Sequence, residues 1–383
     1  MPGSELVYLD AAATTPLSPA AREAMLPWLT EQFGNASSAH RAGRRARQAI
    51  EDARELVARL LDASPEEVIF TSGATEANNL AIRAALAAAG PPAHILASPI
   101  EHACIIEPLA QLARAGHRVE WLPVGADGVV QLTDLPARLR PDTRLLCLML
   151  VNHETGAIQP VAEAARLAAG VRLHCDAAQA VGKLPVSFRR LGVATLSASA
   201  HKFHGPPGVG LLLARADMPL EPLLHGGHQE RGRRPGTEPV ALIVGLAAAL
   251  AAAERHREAH TAHVLALRQR FLDVLSARAR PLVVNGPATG GLAHVLNVSF
   301  PGCVAGVLLM KLDLAGIACS TGSACSSGSL LPSPVLRAMG VGEDRLTSAM
   351  RFSFHAGLSL GEVEEAAQRV ATAVEQMRAL AGP

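Results

Sequence analysis

From about residue 65 the chain repeats one pattern of apolar and polar positions: a short continuous apolar run, a small-residue loop, then a stretch with helical spacing. Continuous apolar runs fit strands buried on both faces, and their alternation with helical stretches predicts a mostly parallel sheet covered by helices. Residues 68–71 predict a strand, 72–75 (SGAT) a turn and 76–89 a helix. Further strands are predicted over 94–97, 119–123, 145–151, 173–175, 195–199 and 209–214, with a crossover helix over 160–169. After Pro239 an Ala/Leu/Glu/Arg-rich segment to about Ala279 predicts a connecting helical region, interrupted at most near His260. Beyond it, the apolar run HVLNVSF and helical patterns over 304–314 and 360–380 predict a smaller α+β unit. The expected division is a large domain over 15–260 and a small domain made of 1–14 and 261–383.

Composition narrows the functions this fold can serve. The 383 residues allow two or three domains at about 100–200 residues each. Hydrophobic residues at 49% against 18% charged exclude a disordered chain. Basic and acidic residues balance at 35 and 34, so no footprint for nucleic acid or an anionic membrane stands out, and the expected partners are small molecules or proteins. The longest apolar run, 240–253, falls short of the roughly 20 residues needed to cross a bilayer. The N-terminus has neither a basic start nor an apolar signal core, so a cytoplasmic location is expected. The six cysteines lack CxxC spacing and disulfide-scaffold density; most are expected to be reduced and in the core, and no metal site is assigned. Only Lys183, Lys202 and Lys311 represent lysine among the 35 basic residues. Arginine replaces lysine as a surface charge but cannot supply a neutral amine for a Schiff base, which singles out Lys202 in the small-residue loop SASAHKFHGPPG.

Several motifs fall where an open α/β sheet binds ligands, beyond the carboxyl ends of strands. In FTSGATEANN, Gly73 permits a tight turn and Thr75 can cap the helix and donate to a phosphate; on this motif alone an ordinary capped helix is the favoured reading, and other segments decide. Asp176 follows an apolar strand and precedes Gln179 by three residues. It reads either as a helix cap or as the partner of a protonated heterocycle nitrogen. Lys202 follows after one further strand, so both can face one pocket from neighbouring strand ends, as pyridoxal phosphate chemistry requires. Ser199 and His201 can add phosphate donors, and His102 follows another strand end where its ring can stack on a cofactor. Cys325 stands among Ser, Gly and Ala in CSTGSACSSG, the composition of an exposed loop, whereas Cys319 ends an apolar run and reads as core. Arg351, in an apolar strand-like stretch, needs an anion: a substrate carboxylate or a structural ion pair.

Together these segments resemble the class V aminotransferase family, and most closely its cysteine desulfurases of the nitrogen-fixation and iron-sulfur-cluster type. The matching stretches run nearly end to end: YLDAAATTP, FGNASSAH, FTSGATEANN, EHA, VNHETG, DAAQAVGKLP, SAHKFHGPPGVG, GGHQERGRRPGTE, STGSACSSG and RFSF. The resemblance implies a PLP-dependent fold type I α/β architecture and a homodimer with active sites at the subunit interface. It implies that Lys202 holds pyridoxal 5'-phosphate as a Schiff base, Asp176 pairs with the ring nitrogen, Gln179 bonds the ring hydroxyl and His102 stacks on the ring. The phosphate would be held by Ala74, Thr75, Ser199 and His201, and by Thr237 of the partner chain; Arg351 would take the carboxylate of L-cysteine. Cys325 would receive the sulfur as a persulfide for delivery to an acceptor or scaffold protein. His153 stands where the family usually has an asparagine that helps hold the cofactor, His228 replaces a usual glycine, Glu238-Pro239 a pair ending in asparagine, and Ala305 a common acidic residue. A selenocysteine lyase or other β-lyase, and a non-catalytic scaffold, are the alternative readings.

Overall fold

The computed structural model describes residues 6–87, 92–322 and 332–381. Twelve strands are present among them: β1 (Val7–Tyr8), β2 (Val68–Thr71), β3 (His94–Ala97), β4 (Arg118–Trp121), β5 (Thr143–Cys147), β6 (Arg172–Asp176), β7 (Thr195–Ser199), β8 (Gly210–Ala214), β9 (Val283–Asn285), β10 (Val295–Ser299), β11 (Ile317–Ala318) and β12 (Ala349–Ser353). The main sheet has the order β2-β8-β7-β6-β5-β3-β4. Its pairs from β7 through β6, β5 and β3 to β4 are parallel, whereas β8 runs antiparallel to both β2 and β7. All four residues of β2 and all five of both β7 and β8 are buried, the pattern of strands covered on both faces.

The predicted strands over 68–71, 94–97 and 195–199 coincide with β2, β3 and β7. The run expected over 145–151 leaves the sheet after Cys147, although Leu148 and Leu150 still donate to His174 and Asp176 carbonyls. The helix expected from residue 76 begins at Ala74 and is described to Leu86, because its first turn uses the small residues assigned to the loop. The segment after Pro239 is one helix, Val240–Arg278, unbroken at His260. Three long helices escaped the periodicity reading, Pro19–Thr30, Arg41–Leu60 and Ala103–Arg114. The first starts with Pro19 behind Ser18, whose hydroxyl accepts from the Ala21 N–H, and the second buries Ala46, Ile50, Ala53 and Val57 along one face.

The long helix takes part in two cores. Ile243, Leu246, Leu250 and Ala253 pack with the main-sheet residues, whereas Val264, Leu267, Phe271 and Leu275 pack with β10, β12 and the Leu360–Ala381 helix. The change of core therefore falls between Ala253 and Val264, inside a continuous helix. Near the N-terminus the same change falls between Leu9 and Ala12. Cys104, Cys147, Cys175 and Cys303 are buried and Cys319 is half-buried, each with a free thiol.

Candidate active site

A cavity of about 550 Å³ opens at the carboxyl ends of the parallel strands. It collects Ala74, Thr75, His102, His153, Asp176, Gln179, Ser199, His201, Lys202 and Arg351. Topology explains the gathering. β6 ends in Asp176 and its parallel neighbour β7 ends in Ser199, one short turn before Lys202, so these groups leave adjacent strands side by side. β2 delivers the first turn of the Ala74–Leu86 helix, and His102 is the N-cap of the Ala103–Arg114 helix after β3.

Asp176 is buried and held from two directions: Oδ1 accepts from the Ala178 N–H at 2.9 Å and Oδ2 from Asn78 Nδ2 at 2.8 Å. Asn78 in turn bonds His174 Nε2 at 2.9 Å through Oδ1, and His174 Nδ1 lies 2.8 Å from Thr195 Oγ1. Burial drives the His174 imidazole down to about 4, so it stays neutral in this chain of hydrogen bonds. Lys202 Nζ donates to the carbonyls of Ala12 and Ala13, each at 2.7 Å. Gln179 Nε2 donates to the same Ala12 carbonyl at 2.9 Å, and its Oε1 accepts from Lys183 Nζ at 3.0 Å.

The opposite end is built for an anion. The first-turn N–H groups of the Ala74–Leu86 helix face the cavity beside Thr75, Ser199 and His201. Gly210 is required at the start of β8, since a Cβ there would meet the Ala198 carbonyl oxygen at 2.6 Å and Gly73 Cα at 2.7 Å. Glu76 anchors this turn by accepting from Ser72 N–H at 2.8 Å and Arg234 Nε at 3.0 Å; despite burial, these partners hold its carboxyl below the usual range. Arg234 belongs to the loop that also carries Thr237. That loop is tied down by a buried fork between Arg54 and Glu230, at 2.8 and 2.9 Å, and by Arg47 on Glu238. Thr237 itself is exposed and does not line the cavity of its own chain.

Two imidazoles form the wall between these ends. The His102 and His153 rings meet edge to face with centroids 5.4 Å apart. His102 Nδ1 accepts from the Cys104 N–H at 3.2 Å and lies 3.0 Å from Cys104 Sγ. Burial, followed by the neighbouring His102, Arg351 and Lys202, pushes His153 well below an ordinary histidine. Its Nδ1 is buried with no hydrogen-bond partner among the described residues. Glu101, beside His102, accepts from the Met149 N–H at 2.6 Å, and burial raises its carboxyl to about 8.

Arg351 is only 2% exposed. It has an ion pair, Nη2 to Asp10 Oδ1 at 2.8 Å, and Nη1 donates to the His153 carbonyl at 3.2 Å, while Nε has no partner among the described residues. Both of its anticipated roles therefore have a basis: a structural pair with Asp10 and a guanidinium edge facing the cavity. Ser320 exchanges backbone hydrogen bonds with Arg351, and Ser333 Oγ donates to Glu154 Oε2 at 2.6 Å, next to His153. Gly322 (φ +86°) packs so closely that a Cβ would meet Glu154 Oε2 at 2.7 Å. Cys325 lies outside the described residues.

Sequence reasoning assigned no role to Asp10, Asn78, Cys104 or Glu154. Asn78 had a usable signal, one helical turn beyond Ala74 on the same face. Asp10 and Glu154 had none, since their contacts join segments hundreds of positions apart.

The donor set fits a phosphorylated pyridine aldehyde: a helix N-terminus and hydroxyls at one end, a buried carboxylate held for a ring nitrogen, a lysine amine, and an orphaned imidazole nitrogen in the wall. The profile of the family described as "Aminotransferase class-V" matches residues 7–365. The cysteine desulfurase IscS of Dictyoglomus turgidum is 43% identical over 91% of this chain and 89% of its own length. The putative cysteine desulfurase IscS 1 of Bacillus subtilis is 41% identical over 97% of this chain and 100% of its own. Among solved structures, a "NifS-like protein" superposes with a TM-score of 0.91 at 35% identity, covering 97% of this chain and 100% of that one. "SspA in complex with cysteine" gives 0.81 at 34% identity, covering 91% and 98%. By sequence over almost its whole length, and by the arrangement of its sheet and cavity, the chain belongs to the class V aminotransferase family.

Proposed function

We propose that this protein is a pyridoxal phosphate-dependent cysteine desulfurase, converting L-cysteine to L-alanine and passing the sulfur to Cys325 as a persulfide. The observation that carries the reading is the convergence of Asp176 and Lys202 from neighbouring parallel strands onto one cavity that also contains a helix N-terminus. Relatives named cysteine desulfurase, and a related solved chain described in complex with cysteine, support the substrate.

When bound, pyridoxal phosphate supplies an electron sink for the charge left at the amino acid's α-carbon. Asp176, fixed by Asn78 and Ala178, keeps a proton on the ring nitrogen through a charge-assisted hydrogen bond. The ε-amine of Lys202, steadied by the Ala12 and Ala13 carbonyls, carries the proton of the substrate α-carbon. Arg351 takes the substrate carboxylate on the edge not committed to Asp10. Gln179 would bond the ring hydroxyl and His102 would stack on the ring, while neutral His153, whose ring meets His102 edge to face, would offer its unpartnered nitrogen to the bound group.

Sulfur transfer then needs one thiol from the chain. The Cys325 thiolate attacks the substrate sulfur, forming an S–S bond as the Cβ–S bond breaks; the electron pair left on carbon takes up a proton, giving alanine. Overall, cysteine and the Cys325 thiol become alanine and the Cys325 persulfide. The segment that carries Cys325 is bounded by Gly322 and Ser333, both packed on Glu154 next to His153, which supports delivery of the thiol to this cavity. Thr237 is proposed to reach the phosphate of a partner subunit in a homodimer. A sulfur-acceptor protein is the proposed recipient, and the cytoplasm the proposed location; among the described residues no helix is long and apolar enough to cross a membrane.

The test is alanine and sulfide formation from L-cysteine by wild type and Cys325→Ser loaded with pyridoxal phosphate. The variant is expected to keep the cofactor absorbance and form neither product catalytically. Turnover at the wild-type rate would remove Cys325 from the mechanism.

A further inference from the structure

A second cavity, of about 520 Å³, lies on the other side of Ala12, Gln179 and Lys202. That volume suits a drug-sized molecule, and most of its wall is apolar, with Leu17, Val295, Phe354 and several alanines. Its titratable groups, among the described residues, are all basic. The turn after β6 contributes the buried Lys183, and the segment after β7 contributes His204. The Val240–Arg278 helix contributes His256, Arg257 and His260, and the ends of β10 and β12 contribute His294 and His355. No aspartate or glutamate lines the cavity among the described residues. Of the neighbouring acids, Glu254 pairs with the lining Arg257, and Glu362, which acts on His355, accepts from Ser359.

Several of these groups retain hydrogen-bonding capacity. His294 Nδ1 is buried without a partner among the described residues. His355 Nδ1 accepts from the Gly357 N–H at 3.2 Å, so its neutral form carries the proton on Nε2. His204 Nδ1 donates to the Pro16 carbonyl at 2.9 Å, and the His204 and His355 rings meet at 6.1 Å. His256 and His260 stack at 5.6 Å.

We propose that this cavity is a second ligand site, for a small organic anion with an apolar body, held by Lys183 and the surrounding imidazoles. The missing element in the wall is negative charge. An aromatic carboxylate would satisfy it while filling the alanine-lined remainder. The site also communicates with the lysine of the other cavity: Lys183 Nζ bonds Gln179 Oε1, Gln179 Nε2 bonds the Ala12 carbonyl, and Lys202 Nζ bonds that same carbonyl.

Burial, then Lys202 and Arg351, lowers the Lys183 ammonium to about 7. Burial also lowers His294 to about 3, with Lys183 and His204 adding to the shift, and His355 to about 4, with His204 adding and Glu362 opposing; His204 and His260 are lowered by burial as well, the Pro16 carbonyl opposing at His204 and His256 and His263 adding at His260. A bound anion reverses that repulsion, so binding takes up protons and tightens as pH falls from 8 to 6.

The experiment titrates the purified, pyridoxal phosphate-loaded protein with 4-fluorobenzoate, followed by ¹⁹F NMR, with 4-fluorobenzyl alcohol as the uncharged control. Saturable binding is expected, tighter than the alcohol by about tenfold or more, the scale of one charge-assisted contact, and tighter at pH 6 than at pH 8. The His294→Asn/His355→Asn double variant and Lys183→Met are each expected to weaken it by about tenfold. Arg351→Met, which removes the guanidinium of the other cavity, is expected to retain it. Absence of saturable binding, equal affinity for the alcohol, unchanged binding in the folded double variant, or loss of binding in a folded Arg351→Met protein would each overturn the proposal. None of these readouts depends on cysteine turnover, so they are separable from the proposed desulfurase activity.

Discussion

The two cavities share a wall of Ala12, Gln179 and Lys202, yet they are assembled in contrasting ways. The first takes its groups from the carboxyl ends of neighbouring strands, and its charged groups are held by partners: Asp176 by the Asn78 amide, Glu76 by Arg234, Arg351 by Asp10. The second draws on the main sheet, the long helix and the ends of β10 and β12, and among the described residues its titratable lining groups are all basic. A site at strand ends is fixed by topology, because parallel order brings successive loops together. A site between two cores is fixed only by how those cores pack. The contrast also predicts different electrostatics, with acids and bases together on one side and a basic lining on the other.

The largest effect should come from the paired side. Asp176→Ala removes the buried carboxylate from Asn78 and from a ring nitrogen, and cysteine turnover is expected to fall about 100-fold or more. Steady-state alanine formation measures it, and near-wild-type activity would dissociate Asp176 from the chemistry.

Next come two pH slopes of opposite sign, one from each side. Glu101, raised to about 8 by burial, holds its proton more tightly folded than unfolded. Its contribution is complete below about pH 4.5 and is lost as pH rises toward 8, so Glu101→Gln should flatten a decline in stability across that window. Lys183, lowered to about 7, holds its proton less tightly folded than unfolded. Its contribution is present above about pH 10.4 and is lost as pH falls toward 7; Lys183→Met should flatten a rise in stability between those values. Each slope amounts to several kcal/mol at most, about 1.4 kcal/mol per pH unit. Urea midpoints at intervals of one pH unit read both, and slopes of the same sign would contradict the contrast.

The smallest effect is expected at Thr237. Thr237→Ala should weaken cofactor retention by about tenfold, the scale of one hydrogen bond to a charged phosphate, with little change in fold stability. Equilibrium dialysis of pyridoxal phosphate measures it, and unchanged retention would place the phosphate beyond this loop.

Much of the first site was legible because its spacing carries topology. Asp176 and Lys202 stand one strand apart in sequence, and β6 and β7 are indeed adjacent and parallel. Ala74 and Thr75 follow a buried strand, and His102 follows another, so a strand-loop-helix reading already places them at one rim. The scarcity of lysine singled out Lys202 and not Lys183, which only the packing shows buried against Gln179. Asp10 was illegible as the partner of Arg351, because that pair joins the two ends of the chain. The histidines of the second cavity were illegible for the same reason: they come from positions 204, 256, 260, 294 and 355, with no common spacing. The antiparallel β8 was also hidden, since a fully buried strand has the same apolar run in either direction.

The proposed chemistry depends on the amine at position 202. Wild-type protein purified with pyridoxal phosphate should be yellow and form alanine from L-cysteine, and Lys202→Ala, folded to the same thermal stability within a few degrees, should lose both the visible band and the activity. An unchanged spectrum with retained alanine formation in that variant would contradict the account.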